Sequence, residues 1–564
     1  MKKCFMALAF IMWTCQLLIA LEQKKARMCQ ELDVIKQILE VKYAGHTWKK
    51  MHIQWDLQQA LSHAKKEVID TDSISIKQFQ QILRRFLNTT QDHHVQAEFC
   101  STEYAFLPFY VKSANHKYFI SWVDEEALSE NYAIEAGDEL LEFDGRPVAE
   151  VIDEIKQQTG WESHSATLQS LAEMALTLRS GKRGDTVPQG SVTITVKSTK
   201  TGKVRTYQLM WDYFPEFIEN PMDKWADHLT PFWASIKKEH EIKSLNMMSP
   251  LYELYAHPSK ERRGELGALK SFLPNLGDRV WEPEDESLFD AYTYQDAQGR
   301  SIGYVRIPHY TGRIDDLKVL AQILNHFEQK TEALVIDQLH NPGGLVFYQY
   351  AIASMLSNRP LATPKHRLCL THADILAAHK ELDMLVCVRS DRDATKFFPN
   401  DPYMNYEYAL FLKEFYRFII QEWNAGRTFT NPTHLGGVDH LNPRIDSCYT
   451  KPILLLIDHM DFSCADFFPA ILQDNKRATL FGSKTAGAGG CMSRCEFPNS
   501  HGIAKFSYIF SIAERGNSQP IENLGVTPDI AYQITEEDLK SGYLPYAAAV
   551  NRAMQDLLNT VEKK

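Results

Sequence analysis

Two short runs of unbroken apolar residues constrain this chain more than any other feature. Ala333-Leu334-Val335-Ile336-Asp337 and Pro452-Ile453-Leu454-Leu455-Leu456-Ile457-Asp458 each read as a strand that leads into a turn and then a helical pattern. After the first come Asn341-Pro342-Gly343-Gly344 and a helix over 345–356, and after the second a loop and a helix over 464–472. Residues 302–307 and 317–327 supply a further strand and helix. Apolar strands alternating with helices indicate a parallel sheet buried on both faces. Ligands of such sheets bind outside the carboxyl ends of the strands, where both loops lie.

At 564 residues the chain has room for about three or four domains. A net charge of −11 argues against a nucleic-acid partner, which needs a clustered basic surface. One long apolar run occurs, from Cys4 to Leu21 behind Met1-Lys2-Lys3, which excludes a polytopic membrane protein. It predicts a secretory signal over 1–20 cleaved near Ala20, hence an exported protein with no stable membrane association afterwards. An uncleaved anchor is the competing reading, since the run is long enough to span a bilayer. Eight cysteines lie beyond it, an even set that permits disulfides without demanding them. Cys491-Met-Ser-Arg-Cys495 lacks a second Cys/His pair at zinc spacing, so neither a metal nor any other cofactor is expected.

Residues 21–100 read as a helical region, with apolar residues at helical spacing over 30–41 and 76–86. From 101 to 212 the period changes to that of strands, at 109–111, 118–123, 191–197 and 204–210. Within this stretch Ala136-Gly137-Asp138-Glu139-Leu140-Leu141-Glu142-Phe143-Asp144-Gly145 resembles the core of PDZ domains, modules that bind an extended peptide at a sheet edge. Prolines 215, 221, 231, 250, 258 and 274 punctuate 213–290, which reads as a linker or a processing segment. The α/β core is assigned to 291–564.

Ser463 stands between the second apolar strand and its helix, in Asp461-Phe462-Ser463-Cys464-Ala465-Asp466. A serine there is commonly an N-cap, and Asp466 completes a capping-box pattern. The same position also suits a nucleophile, because it is rigid and the N–H groups of a helix start face a developing anion. The Gly343-Gly344 turn would bring further N–H groups to that point, so the candidate oxyanion hole is the backbone of Cys464, Gly343 and Gly344. A base is needed, and His94 in Asp92-His93-His94 is the candidate, with His93 beside it as the rival imidazole.

The order of a PDZ-like module, an N-P-G-G turn and a serine at a helix start resembles the C-terminal processing (tail-specific) serine peptidases. Their usual dyad lysine is missing, since Gly482-Ser483-Lys484-Thr485-Ala486-Gly487-Ala488-Gly489 carries Ala488 at that position. Four motifs together resemble the branch of that family formed by the chlamydial protease-like (proteasome-like) activity factors. They are Asp92-His93-His94, Asp461 to Asp466, Thr485 to Gly490, and Ile521-Glu522-Asn523-Leu524-Gly525-Val526-Thr527-Pro528-Asp529-Ile530. The resemblance implies an α/β fold with a crotonase/ClpP-like parallel-sheet catalytic core, an N-terminal helical region and a PDZ-like domain. It also implies a Ser463–His94–Glu522 arrangement, in which the carboxylate orients the histidine. Protein substrates (host proteins among them), a self-processing zymogen, a homodimeric mature form and export are further implications, with delivery to a host cytosol left open. Two other classes compete: a non-catalytic peptide-binding scaffold and a crotonase-like acyl enzyme.

Overall fold

The computed structural model describes residues 2–128, 132–160, 165–217, 265–284, 287–399 and 404–562, with side chains within these ranges from residue 21 to 560. Most of the expected processing segment, residues 218–264, lies outside the described residues, as do the side chains around Ala20.

The two apolar runs form neighbouring strands. Ser301–Arg306, Ala333–Asp337, Ile453–Ile457, Thr479–Gly482 and Ile530–Ala531 pair in that order, all parallel, and Ala291–Gln295 adds an antiparallel edge beside Ser301–Arg306. Side chains alternate across the sheet. Leu334, Ile336, Leu455 and Ile457 enter one apolar cluster with helices Ile314–Lys330, Val346–Ser354 and Cys464–Asp474. Val335, Leu454 and Leu456 enter another with helix Leu544–Glu562 on the opposite face. Both faces are packed against apolar side chains, which is why the runs stay apolar up to Asp337 and Asp458 at their carboxyl ends. Between the two strand–helix units the chain inserts a helical arm, His372–Val386, Asp391–Phe397 and Tyr406–Asn424, for which the sequence reading assigned no structure.

The N-terminal region is helical as expected, with helices Lys2–Lys42, His46–Ile53, Leu57–Asp70 and Ile76–Asn88. The last is started by a capping box: the Ser75 hydroxyl accepts from Gln78 N–H at 3.1 Å, and Gln78 Oε1 accepts from Ser75 N–H at 2.8 Å. This region is built into the core. Strand Ala97–Phe99 pairs antiparallel with Ile503–Ile509, and Leu32, Leu83 and Phe86 share a cluster with Phe506 and Ile509. That pairing carries the Asp92–His94 loop to the catalytic core.

The PDZ-like sheet runs Phe109–Ala114, Lys117–Val123, Glu139–Phe143, Ser191–Lys197, Val204–Met210, with helices Val148–Thr159 and Ala166–Thr177. Asp144 and Gly145 turn its hairpin with φ of 52° and 71°, as a two-residue turn of that hand requires. Met460 and Phe462 of the core are buried in the same cluster as Leu168, Leu171 and Ile120 of this module. The segment just before Ser463 is therefore seated in the PDZ-like domain.

Arg84 and Arg183 close on Asp185 at 2.7 Å each, tying helix Ile76–Asn88 to the PDZ-like module. Burial works against the Asp185 carboxylate, but the guanidinium groups of Arg183, Arg84 and Arg179 outweigh it and hold its pKa well below the usual range. Asp185→Ala strands buried guanidinium groups and is expected to cost about 3–5 kcal/mol, read as a lower denaturant midpoint. Because the folded pKa is depressed, this contribution is full above the ordinary carboxylate pKa and disappears as pH falls through the folded value.

All eight cysteines from Cys29 onward are free thiols, and Cys464 alone of them is fully buried.

Candidate active site

Ser463 follows the Ile453–Ile457 strand and a tightly held loop. Asp461 accepts from Asn341 N–H at 3.0 Å, Asp458 N–H at 3.0 Å and Gln338 Nε2 at 2.9 Å, and Phe462 N–H donates to the Asn341 carbonyl at 2.9 Å. These bonds join the two strand-end loops into one unit. Ser463 itself has φ 60° and ψ −116°, a conformation that costs a non-glycine residue about 1–3 kcal/mol. Its N–H donates to Asp466 Oδ2 at 3.0 Å. Asp466 does more than cap the helix, because it also accepts from Gly487 N–H and Ala488 N–H at 2.9 Å each. It therefore anchors the Thr485–Gly490 loop to the nucleophile turn. Ala488, at the position of the missing dyad lysine, is buried.

The Asn341–Gly344 turn lies against Ser463. A Cβ on Gly343 would meet the Phe462 carbonyl oxygen at 2.5 Å and Ser463 Cβ at 2.8 Å, and its φ is +88°. Gly343→Ala is expected to lower peptidase activity at least about 100-fold by displacing this turn, measured as kcat/KM on a peptide substrate. The three expected oxyanion donors are not equivalent. Gly343 N–H donates to its own turn, to Asn341 Oδ1 at 2.8 Å, and so points away from an incoming carbonyl. Cys464 N–H is at the first turn of its helix and has no intrahelical acceptor. Gly344 N–H stands outside the two bonds, Tyr310 N–H to Gly343 C=O and Leu345 N–H to Tyr310 C=O, that bridge its segment to Tyr310.

The base loop follows helix Ile76–Asn88. Asp92 is buried and accepts from the Tyr43 hydroxyl and from His94 N–H, both at 2.9 Å. Ser507 of the core donates its hydroxyl to the His94 carbonyl at 2.5 Å. His94 is 1% exposed, and among the described residues neither ring nitrogen has a hydrogen-bond partner; Nδ1 stands 3.8 Å from Asp92 Oδ1. Burial lowers the His94 pKa, Asp92 raises it, and Lys49 lowers it again, so the ring is neutral and able to accept a proton. His93 turns the other way. It lies edge-on to Phe462 at 5.3 Å between ring centroids and lines a cleft of about 1070 Å³ with Asp92, Lys112, Ala486 and Asn523. Burial first, partly offset by Asp92, pushes its pKa down to about 4.

Glu522 is fully buried. Oε1 accepts from Lys49 Nζ at 2.5 Å and Oε2 from Gly489 N–H at 2.8 Å. Burial and then Asp92 push its carboxyl up to about 8, against the pull of the Lys49 ammonium and the Gly489 N–H. The structure thus gathers the Ser463, His94 and Glu522 loops around the 485–490 segment, while no hydrogen bond among the described residues joins any one of these three side chains to another. Lys49 and Tyr43 were absent from the sequence reading. Lys49 sits in a helix and Tyr43 just after one, where a lysine or tyrosine ordinarily faces water or core; Asn523, which also bonds Lys49, did stand in a motif.

The profile of the PDZ domain matches residues 103–222, and that of peptidase family S41 matches residues 301–532. An uncharacterized protein of Chlamydia muridarum (strain MoPn / Nigg) is 34% identical over 94% of this chain and 92% of its own length. A protein of Chlamydia trachomatis serovar D is likewise 34% identical over 94% of this chain and 92% of itself. Among solved structures, mature CPAF complexed with lactacystin superposes with a TM-score of 0.81 at 32% identity, covering 95% of this chain and 99% of that one.

Proposed function

The chain belongs to peptidase family S41 and is a serine-type peptidase, and on that premise we propose that it is an exported endopeptidase working through Ser463, His94 and Glu522. The observation that carries the assignment is the strained Ser463 backbone at the junction of a buried strand and a helix. Strain of this kind persists only where the surroundings enforce it, and it is found chiefly at functional positions.

Ser463 Oγ forms a bond to the scissile carbonyl carbon while His94 takes its proton, and the carbonyl oxygen becomes an anion facing the N–H groups of Cys464 and Gly344. The C–N bond then breaks, the leaving amine takes the proton from His94, and an acyl-enzyme remains on Ser463. Water repeats the cycle on the ester, releasing the acid and restoring the hydroxyl. Glu522 supports the histidine electrostatically. A buried imidazole with two unbonded nitrogens supports the role given to His94, since such a group is costly unless it has work to do.

Self-processing belongs to the same proposal. The Pro-punctuated 213–290 stretch is the segment to be cut, and the uncommitted His94 ring is in keeping with a precursor whose catalytic bonds are not yet made. The charged start and apolar run of residues 1–21 support export, and a mature homodimer acting on host proteins is the partner assignment, by likeness to CPAF. The wild-type chain is expected to separate into two fragments on expression, and Ser463→Ala to stay whole. Two fragments from Ser463→Ala would contradict self-processing.

A further inference from the structure

Among the described residues Lys49 is the one lysine bonded to a candidate triad side chain, and it is fully buried in the short helix His46–Ile53. Its ammonium has three acceptors on two distant segments: Glu522 Oε1 at 2.5 Å, Asn523 Oδ1 at 2.7 Å and the Gln91 carbonyl at 2.9 Å. An ammonium carries three donors, so all of its bonding capacity is taken. Gln91 begins the base loop and Glu522-Asn523 is the acid loop. A second strut runs alongside, from Asn523 Nδ2 to the Gln91 carbonyl at 2.8 Å, and Trp48 Nε1 donates to Asn523 Oδ1 at 3.2 Å.

We propose that Lys49 is a positioning residue for the peptidase reaction: it cross-braces the base loop to the acid loop, and its charge opposes the protonation of Glu522. This rests on the assignment of Glu522 as the carboxylate of the triad. Electrostatics require such a counter-ion. Burial and Asp92 both raise Glu522; the titratable groups that act on or are acted on by it are Asp92 on the base loop, Tyr43 after the first helix, and Lys49, while Asp92 and Lys49 also act on His94. Lys49 is the sole cation among them when the imidazole is neutral. Without it, two carboxylates would face each other in a dry site, and Glu522 would keep its proton to a higher pH.

The test is a pH–rate profile of fluorophosphonate labelling at Ser463 in the self-processed protein expressed from the full chain. Lys49→Met removes the charge at nearly constant volume, and Lys49→Gln keeps a hydrogen-bond donor. Both are expected to move the acid limb upward by about one unit or more, so that labelling at neutral pH falls at least about tenfold and recovers in alkali. Lys49→Arg, which keeps the charge, is expected to return the limb towards the wild-type position. A merely structural lysine would lower the melting temperature and leave the limb in place, and that result overturns the proposal. Should the neutral variants not fold, Asn523→Asp serves instead. It is isosteric, keeps Lys49 and adds a negative charge beside it, so the limb is expected to rise; an unmoved limb in that variant is equally contrary. Wild-type protein that takes no label at all would refute the Ser463 assignment itself, a separate failure.

Discussion

Ser463→Ala is expected to lower peptide hydrolysis by at least about 10⁴-fold, because removal of the nucleophile in a serine peptidase leaves only binding and the oxyanion donors. Stability should hardly change, since alanine fits the same space and keeps the strained backbone at φ 60°. Ser463→Gly separates the two properties. Glycine adopts positive φ without a Cβ penalty, so this variant is expected to be equally inactive yet more stable by about 1 kcal/mol, after the entropy it adds to the unfolded chain. The pair is read by kcat/KM on a peptide and by denaturant midpoints. A Ser463→Gly protein less stable than wild type would mean that the turn is not strained.

The second large effect separates the adjacent imidazoles. His94→Ala is expected to lose about 10⁴- to 10⁶-fold in kcat with little change in KM, as for removal of a triad histidine. His93→Ala should lose less than about tenfold, mainly in KM, because His93 faces the cleft and rests its ring on Phe462. The reverse order of effects would assign the base to His93, whose place beside the nucleophile segment makes it the natural alternative.

The legibility of this molecule followed the range of its interactions. Strands Ala333–Asp337 and Ile453–Ile457 were readable because burial on both faces forces an unbroken apolar run. The PDZ-like hairpin was readable because Asp144-Gly145 meets a local backbone demand. Ser463 was readable through its strand–turn–helix setting, although sequence could not show that its φ is positive. Gly343 looked equivalent to Gly344 as a donor; only the bond to Asn341 Oδ1 distinguishes them. Lys49 gave no signal, as its partner Glu522 lies 473 residues away and the pairing exists only after strand Ala97–Phe99 is sewn to the core. The helical arm over 372–424 was unread for another reason. Its helices are largely exposed, so apolar residues such as Leu376, Val386 and Leu410 stand in water and blur the helical period.

Those three side chains come from residues 94, 463 and 522, so the site forms only when nearly the whole chain is folded. The most direct measurement is mass spectrometry of the self-processed wild-type protein after treatment with a fluorophosphonate. The expected result is one adduct per chain, on the peptide containing Asp461 to Asp466 and located at Ser463, with none in Ser463→Ala. An unmodified protein, or an adduct on any other residue, would contradict a serine nucleophile at this position.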